Sequence, residues 1–315
     1  MKHVFVIDPD VFSNQQWKMD GLQDAIGQYF RTQEKPDFTI VVSKFPREAL
    51  GVIQKQVDES GGDTVRVYAV GGDGIMFDCL NAIMGLPNTE LAVMPYGVAN
   101  TFIRSFGDGN AEPFNSVTSV ADAPTIPTDA IEVGNTYAIT GCAVGFTPAV
   151  VIKTRALDDT KLARGLDRFA ANIRRFFTSL SFVFDKNITA RRYNIIIDNQ
   201  DYSGTYSMVS IVNGPYFGRK KLPLERTALN DGYLDVILFR SAAVLATLFS
   251  LRRYAKGKMP SNCVRVRAKK VEMHSDKPMW IQTDGEYLMD TSMTFEVLPE
   301  AVQIVAVDNL TYQEC

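Results

Sequence analysis

Apolar and polar positions alternate on two different rhythms along the chain. In the first 100 residues, Val4–Ile7, Phe38–Val42, Val65–Val70 and Leu91–Met94 are short runs rich in Val and Ile. Such runs are typical of strands buried on both faces of a parallel sheet. Between them, Gln15–Phe30, Pro46–Glu59 and Met76–Met84 repeat their apolar residues at helical period. Strands alternating with helices predict a doubly wound α/β sheet with right-handed crossovers. Ligands of such sheets bind beyond the carboxyl ends of the strands.

The rhythm changes after Asp122–Thr128, a stretch rich in Ala, Pro and Thr that reads as a boundary. Longer strand patterns follow at Thr136–Val144, Arg191–Ile197, Tyr202–Val212, Leu234–Phe239, Val264–Met273 and Met293–Leu298. The turn Asp198-Asn199-Gln200-Asp201 predicts a hairpin between the second and third of these. Helical periods interrupt at about Lys161–Leu180 and Ala242–Tyr254. The expected organisation is an α/β domain over residues 1–128 and a β-rich domain over 129–299. The last apolar run, Val302–Val307, is free to join either, so residues from about 300 to 315 can return to the first domain. No internal repeat or low-complexity tract is present.

Composition narrows the picture. The 315 residues are 46% hydrophobic and 22% charged, the mixture of a soluble globular protein. No run approaches the roughly 20 apolar residues that span a bilayer. The opening Met1–Asp8 reads as a strand, with no secretory leader after it, so a cytoplasmic address is expected. Cys79, Cys142, Cys263 and Cys315 are scattered, which argues for reduced thiols over a disulfide framework or zinc site. His3 and His274 are the only histidines, too few for histidine metal sites or a serine–histidine triad. Charge is uneven: residues 1–150 hold 9 Lys/Arg against 18 Asp/Glu, and residues 151–315 hold 24 against 18. The basic half either meets something anionic or is merely solvated.

Candidate chemistry begins at Val65-Arg66-Val67-Tyr68-Ala69-Val70-Gly71-Gly72-Asp73-Gly74, a strand running into three glycines and a carboxylate before a helix. Glycines let the backbone turn sharply and bring N–H groups close to phosphate oxygens, and the helix start attracts anions. Asp73 either reaches magnesium, directly or through water, or serves as the helix N-cap. A second elbow follows the next strand at Met94-Pro95-Tyr96-Gly97-Val98-Ala99-Asn100-Thr101-Phe102. Here Asn100 either offers its amide to a ribose or phosphate or caps the helix that follows. Two small-residue elbows on consecutive strands converge on one crevice.

Two further turns contain carboxylates. In Ala228-Leu229-Asn230-Asp231-Gly232-Tyr233, Asp231 and neighbouring carbonyls suit a hard cation, or form an Asp-Gly turn. In Ile281-Gln282-Thr283-Asp284-Gly285-Glu286-Tyr287, Asp284 could take a proton from an attacking hydroxyl with Glu286 assisting; a plain Asp-Gly turn is the alternative.

In this order the elements resemble the diacylglycerol kinase catalytic family, which includes bacterial lipid kinases and the sphingosine and ceramide kinases. Gly71-Gly72-Asp73-Gly74 is similar to its Gly-Gly-Asp-Gly-Thr signature. Pro95-Tyr96-Gly97-Val98-Ala99-Asn100, continued by Phe102-Ile103-Arg104, resembles its second loop. Ala143-Val144-Gly145-Phe146, Asn213-Gly214-Pro215-Tyr216-Phe217-Gly218 through Pro223, Asp231-Gly232, Leu234-Asp235 and Asp284-Gly285-Glu286 extend the likeness over essentially the whole chain.

The resemblance implies an N-terminal doubly wound α/β domain with the Gly-Gly-Asp-Gly elbow, plus a C-terminal β-sandwich domain with helical insertions. It implies an ATP- and Mg2+-dependent kinase of a lipid hydroxyl, with Asp284 as general base and Glu286 beside it. Nucleotide contacts are implied for Ser43, Gly71, Gly72, Asp73, Gly74, Gly97 and Asn100. A structural magnesium is implied at Asp231 with the carbonyls of Ala228 and Tyr233, and catalytic magnesium at Asp73. The implied partner is a lipid at the membrane surface, contacted peripherally; no nucleic acid is expected, and a homodimer is compatible.

Departures from the family pattern point to the alternatives. Ile75 and Val98 replace threonines, Thr101 replaces an aspartate, Asp8-Pro9-Asp10 replaces Asn-Pro, and Phe77-Asp78 replaces Asn-Glu. Each lost hydrogen bond to a charged phosphate costs roughly 1.5–3 kcal/mol. A pseudokinase that binds nucleotide or lipid without turnover is therefore a second expectation. An NAD kinase, which shares the first elbow but lacks the Asp-Gly-Glu end, is a third.

Overall fold

The computed structural model describes residues 1–34, 36–43, 48–149, 151–152, 190–217, 220–241, 244–254, 256–284 and 286–313. The expected helix at Lys161–Leu180 lies outside these residues, as do Gly218 and Gly285.

The α/β part reads β1 Lys2–Ile7, α1 Gln16–Arg31, β2 Phe38–Val42, α2 Glu48–Asp58, β3 Val65–Gly71, α3 Asp73–Ile83 and β4 Thr89–Pro95, then α4 Val117–Asp122. Its four strands are parallel, in the order β4-β3-β1-β2. Every residue of β3 is buried, as its apolar sequence requires of a strand covered on both faces. On α1, Leu22, Ile26 and Phe30 recur at four-residue spacing and face the sheet. Arg66, the one cation in β3, is satisfied by Glu90 at 2.7 Å and by the carbonyls of Val120 and Ala121 at 2.8 Å each.

The β-rich part continues with β5 Thr125–Val133, β6 Thr136–Ala138, β7 Gly141–Gly145, β8 Arg191–Ile197, β9 Gln200–Asp201, β10 Gly204–Val212, β11 Tyr216–Phe217 and β12 Lys220–Lys221. It ends with β13 Leu234–Arg240, α5 Val244–Tyr254, β14 Cys263–Ala268, β15 Lys270–Thr283 and β16 Glu286–Val305. Period-two alternation splits its side chains between two cores. Val209, Ile211, Val236 and Leu238 join Tyr193, Ile195, Met273 and Phe295 on one side. Met208, Val212, Ile237 and Phe239 join Phe146, Leu222 and Leu224 on the other, where Tyr254 of α5 covers them.

Both parts share one sheet. Its path runs β14-β13-β10-β7-β15-β16-β4-β3-β1-β2. The long β16 pairs with β15 and β5 antiparallel, and its end at Gln303 and Ile304 pairs with β4 in parallel.

Two strands expected to be continuous are broken by hydrogen bonds from far away in sequence. Thr136–Val144 becomes β6 and β7, because the N–H groups of Ile139 and Thr140 turn to the Asp284 carboxylate. Val264–Met273 is interrupted at Lys269, whose N–H donates to Asp198 in the hairpin turn. In that turn, Asp198 and Asn199 have φ of +44° and +68°, the conformation of a tight two-residue hairpin. Helix α3 starts at Asp73, three residues before its apolar period becomes legible.

Candidate active site

The two glycine elbows lie at the carboxyl ends of β3 and β4 and touch backbone to backbone. Gly97 N–H donates to the Gly71 carbonyl at 2.9 Å. A Cβ on Gly97 would collide with the Cα of Gly72 and lie 2.9 Å from its nitrogen. A Cβ on Gly71 would meet Ile75 Cγ2 at 2.8 Å and Asp8 Cβ at 2.9 Å. Gly74 is different: a Cβ there would meet nothing within 4 Å. Gly97 and Gly71 are thus required by the protein's own packing. Gly74 leaves an open approach to the first turn of α3, whose N-cap, Gly72, has no side chain to satisfy that turn's N–H groups.

Asp73 is not the N-cap. Its carboxylate accepts from Thr101 N at 2.8 Å and Thr101 Oγ1 at 3.0 Å, fastening the first elbow to the second. Burial pushes its pKa up, the two Thr101 bonds pull it back, nearby Asp284 adds to the rise and Arg104 opposes it. Asn100 is a strut within the second elbow. Its amide donates to the carbonyls of Pro95 at 2.9 Å and Gly97 at 2.8 Å, with φ at +46°. Both amide hydrogens are thus engaged within the elbow, and the amide does not cap the following 3-10 turn. Its Oδ1 is buried without a partner among the described residues.

Ser43 follows β2 at the same sheet edge, buried, and its N–H donates to the Ile7 carbonyl at 2.9 Å. Asp8 closes β1 there and accepts from Asp10 N at 2.9 Å. Burial raises its pKa, the Asp10 N–H opposes the rise and the Asp10 charge adds to it.

Asp284 comes from the β-rich part and is buried, with φ at +39°. Its carboxylate accepts from the N–H of Ile139 at 2.5 Å, Thr140 at 3.1 Å and Gly141 at 3.1 Å, and from the Thr140 hydroxyl. Burial pushes its pKa up, while the Thr140 hydroxyl and the three N–H groups pull it back. Glu286, two residues on, is exposed at the start of β16. Asp284 is buried and Asp73 half-buried, and the Asp284 charge adds to the rise of the Asp73 pKa.

In the Asp231 turn the carboxylate is held by protein groups. Asp231 accepts from the N–H groups of Ala228 and Tyr233, each at 3.0 Å, and pairs with the Arg267 guanidinium at 2.9 Å. That guanidinium also lies 4.6 Å from the Tyr233 ring centroid. The Ala228 and Tyr233 peptides thus present N–H groups to the carboxylate, and Arg267 supplies the positive charge. No cluster of three or more metal-ligating side chains exists among the described residues. Arg267, Thr140 and the Ile139–Gly141 amides were missed in the sequence; the only trace of them was a Thr-Gly pair inside an expected strand.

Residues 10–133 match the diacylglycerol kinase catalytic domain, and residues 167–306 match the YegS C-terminal NAD kinase beta sandwich-like domain. A "Putative lipid kinase" of Staphylococcus aureus strain N315 is 24% identical across 78% of this chain and 78% of its own. Another, from strain bovine RF122 / ET3-1, is 25% identical with the same coverage. The crystal structure of a "putative diacylglycerol kinase" from Bacillus anthracis strain Sterne aligns with a TM-score of 0.71 at 20% identity, covering 98% of this chain and 96% of that one.

Proposed function

Because the chain belongs to the diacylglycerol kinase catalytic family, we propose that it is an ATP- and magnesium-dependent kinase of a lipid hydroxyl, such as that of diacylglycerol, a sphingoid base or a phospholipid. One observation carries the reading. Gly72 and Gly97 are pressed together beside an α3 terminus that no side chain caps, and Asp73 ties the two elbows through Thr101. A triphosphate fits this cradle. Gly74 leaves its approach clear, and bare N–H groups at a helix start suit phosphate oxygens.

In this reading Asp73 would hold magnesium, which when bound neutralises phosphate charge. Asp284 receives the proton of the attacking lipid hydroxyl. Burial raises its affinity for that proton, and the Thr140 hydroxyl, free to rotate, can release a lone pair for it. The three N–H groups fix the orientation of the carboxylate. Ser43 and Gly71 line the phosphate side, Asn100 braces it, and Glu286 at the rim assists electrostatically. The Asp231 turn has no catalytic part. The enzyme is cytoplasmic and meets its lipid at a membrane surface; no helix among the described residues is long and apolar enough to cross one.

The test is incubation with labelled ATP, magnesium and a total lipid extract. A labelled lipid is expected from the native protein and none from Asp284→Asn, with the fold retained by circular dichroism. Full activity in that variant would remove Asp284 as base. A pseudokinase remains the second reading, favoured by Ile75, whose side chain packs against Gly71 where the family has a hydroxyl. ATP binding without turnover on any lipid would establish it, and NADP formation would establish an NAD kinase.

A further inference from the structure

We propose that helix α5 is the element that seats this protein on anionic bilayers, with Phe249 entering the interface and Arg252, Arg253, Lys256 and Lys258 meeting the headgroups. The inference rests on the reading of the chain as an enzyme of lipid hydroxyls, and it identifies the surface that reaches them.

Several basic clusters compete for this role, and the structure separates them. Arg265 is committed to Asp235 at 2.6 Å, Arg267 to Asp231 at 2.9 Å and Lys270 to Glu272 at 3.1 Å. Arg191 is turned onto Ser275 and onto the carbonyls of Lys277 and Pro278. Arg252, Arg253, Lys256 and Lys258 are exposed, and none has a carboxylate partner among the described residues. The local sequence explains why. From Val236 through Val271 there are 36 residues with nine Lys/Arg and no Asp or Glu. An acid-free cationic stretch complements an anionic surface.

Helix α5 has the two faces that such contact needs. Inward, the Ser250 hydroxyl donates to Asn262 Oδ1 at 2.7 Å, and the Tyr254 ring packs edge-on against Phe239 at 5.0 Å. Outward, Phe249 is 63% exposed, and the Arg253 guanidinium, one turn on, lies 6.0 Å from its ring centroid. The turn after the helix carries Lys256 and Lys258 and approaches Lys221: a Cβ on Gly257 would sit 3.8 Å from the Lys221 carbonyl. An exposed aromatic side chain bordered by unpaired cations is the arrangement of an interfacial helix lying in the headgroup layer.

The experiment is flotation of the full chain with vesicles of phosphatidylcholine alone or mixed with phosphatidylglycerol, without nucleotide, at low and raised salt. The native protein is expected to float only with the anionic vesicles and to be released by salt. Arg252→Gln/Arg253→Gln should weaken partition at low salt roughly fivefold per charge removed, and Phe249→Ser should also weaken it at low salt. Arg31→Gln/Lys55→Gln, which removes the same charge from the α/β part, should leave it unchanged. Equal flotation with neutral vesicles, no flotation of the native protein, or equal loss from both double variants would overturn the proposal. Kinase turnover is read separately on monomeric short-chain lipid, so absent turnover with intact flotation would sink the kinase reading alone.

Discussion

At the scale of single residues, the glycines of the crevice have different jobs, and substitution separates them. Gly97 is held by contact with Gly72, so Gly97→Ala overpacks a backbone junction and should cost about 3 kcal/mol, read as a lowered thermal midpoint. Gly74 meets nothing, so Gly74→Ala should raise stability by up to about 1 kcal/mol, since alanine suits a helix better. The same variant should weaken ATP binding, because its methyl group stands over the open N–H groups of α3. A Gly74→Ala protein that is more stable and binds ATP as before would deny the cradle its role.

His3 provides a second residue-scale test. Burial, then Arg66 and the chain amino terminus, lower its pKa from 6.5 to about 4, and its ring Nδ1 lies 2.7 Å from the Tyr68 hydroxyl. A depressed folded-state pKa means the unfolded chain takes up the proton first. The stability His3 contributes is therefore complete above pH 6.5 and is lost as pH falls toward 4. Thermal midpoints of the native protein and His3→Gln should converge over that window. A constant gap would mean that His3 does not titrate there.

At the scale of elements, the Asp231 turn is braced by Arg267, a side chain of its own sheet. Breaking a half-exposed ion pair costs at most about 1 kcal/mol, and losing the cation–π contact with Tyr233 costs about as much again. Arg267→Ala should thus lower stability by roughly 1–2 kcal/mol in total. In the native protein without nucleotide, exchanging magnesium for EDTA should leave the melting midpoint in place; a clear shift would show that an ion does hold the turn. This contact also shows where sequence reading fails. The carboxylate and its Asp-Gly turn are legible locally, but the guanidinium that answers them lies on β14, more than thirty residues on. The break between β6 and β7 was hidden for the same reason, since Ile139 and Asp284 are 145 residues apart. The β1, β3 and β4 runs were legible because a strand buried on both faces announces itself in its own composition.

At the scale of the whole molecule, β16 is the member that ties the parts together. Val302, Ile304, Val305 and Val307 are all buried, and the Tyr312 hydroxyl lies 2.5 Å from Thr128 Oγ1. At about 1.5–3 kcal/mol for each of these four buried side chains, deleting residues 301–315 removes roughly 6–12 kcal/mol, as much as a typical protein's whole stability. The shortened chain should lose amide-exchange protection along β4 and β5; unchanged protection at Leu91 and Thr128 would show that the tail is dispensable. The two-part architecture was readable from the shift in rhythm near residue 125. The merging of both parts into one sheet was not, because strand pairing between distant segments leaves no mark in either segment alone.

That merging constrains motion. Enzymes whose lobes meet at a flexible joint can gather a reactant by folding around it. Here β16 runs from its pairing with β15 into its pairing with β4, so any such gathering must bend that one strand or part its two-residue seam.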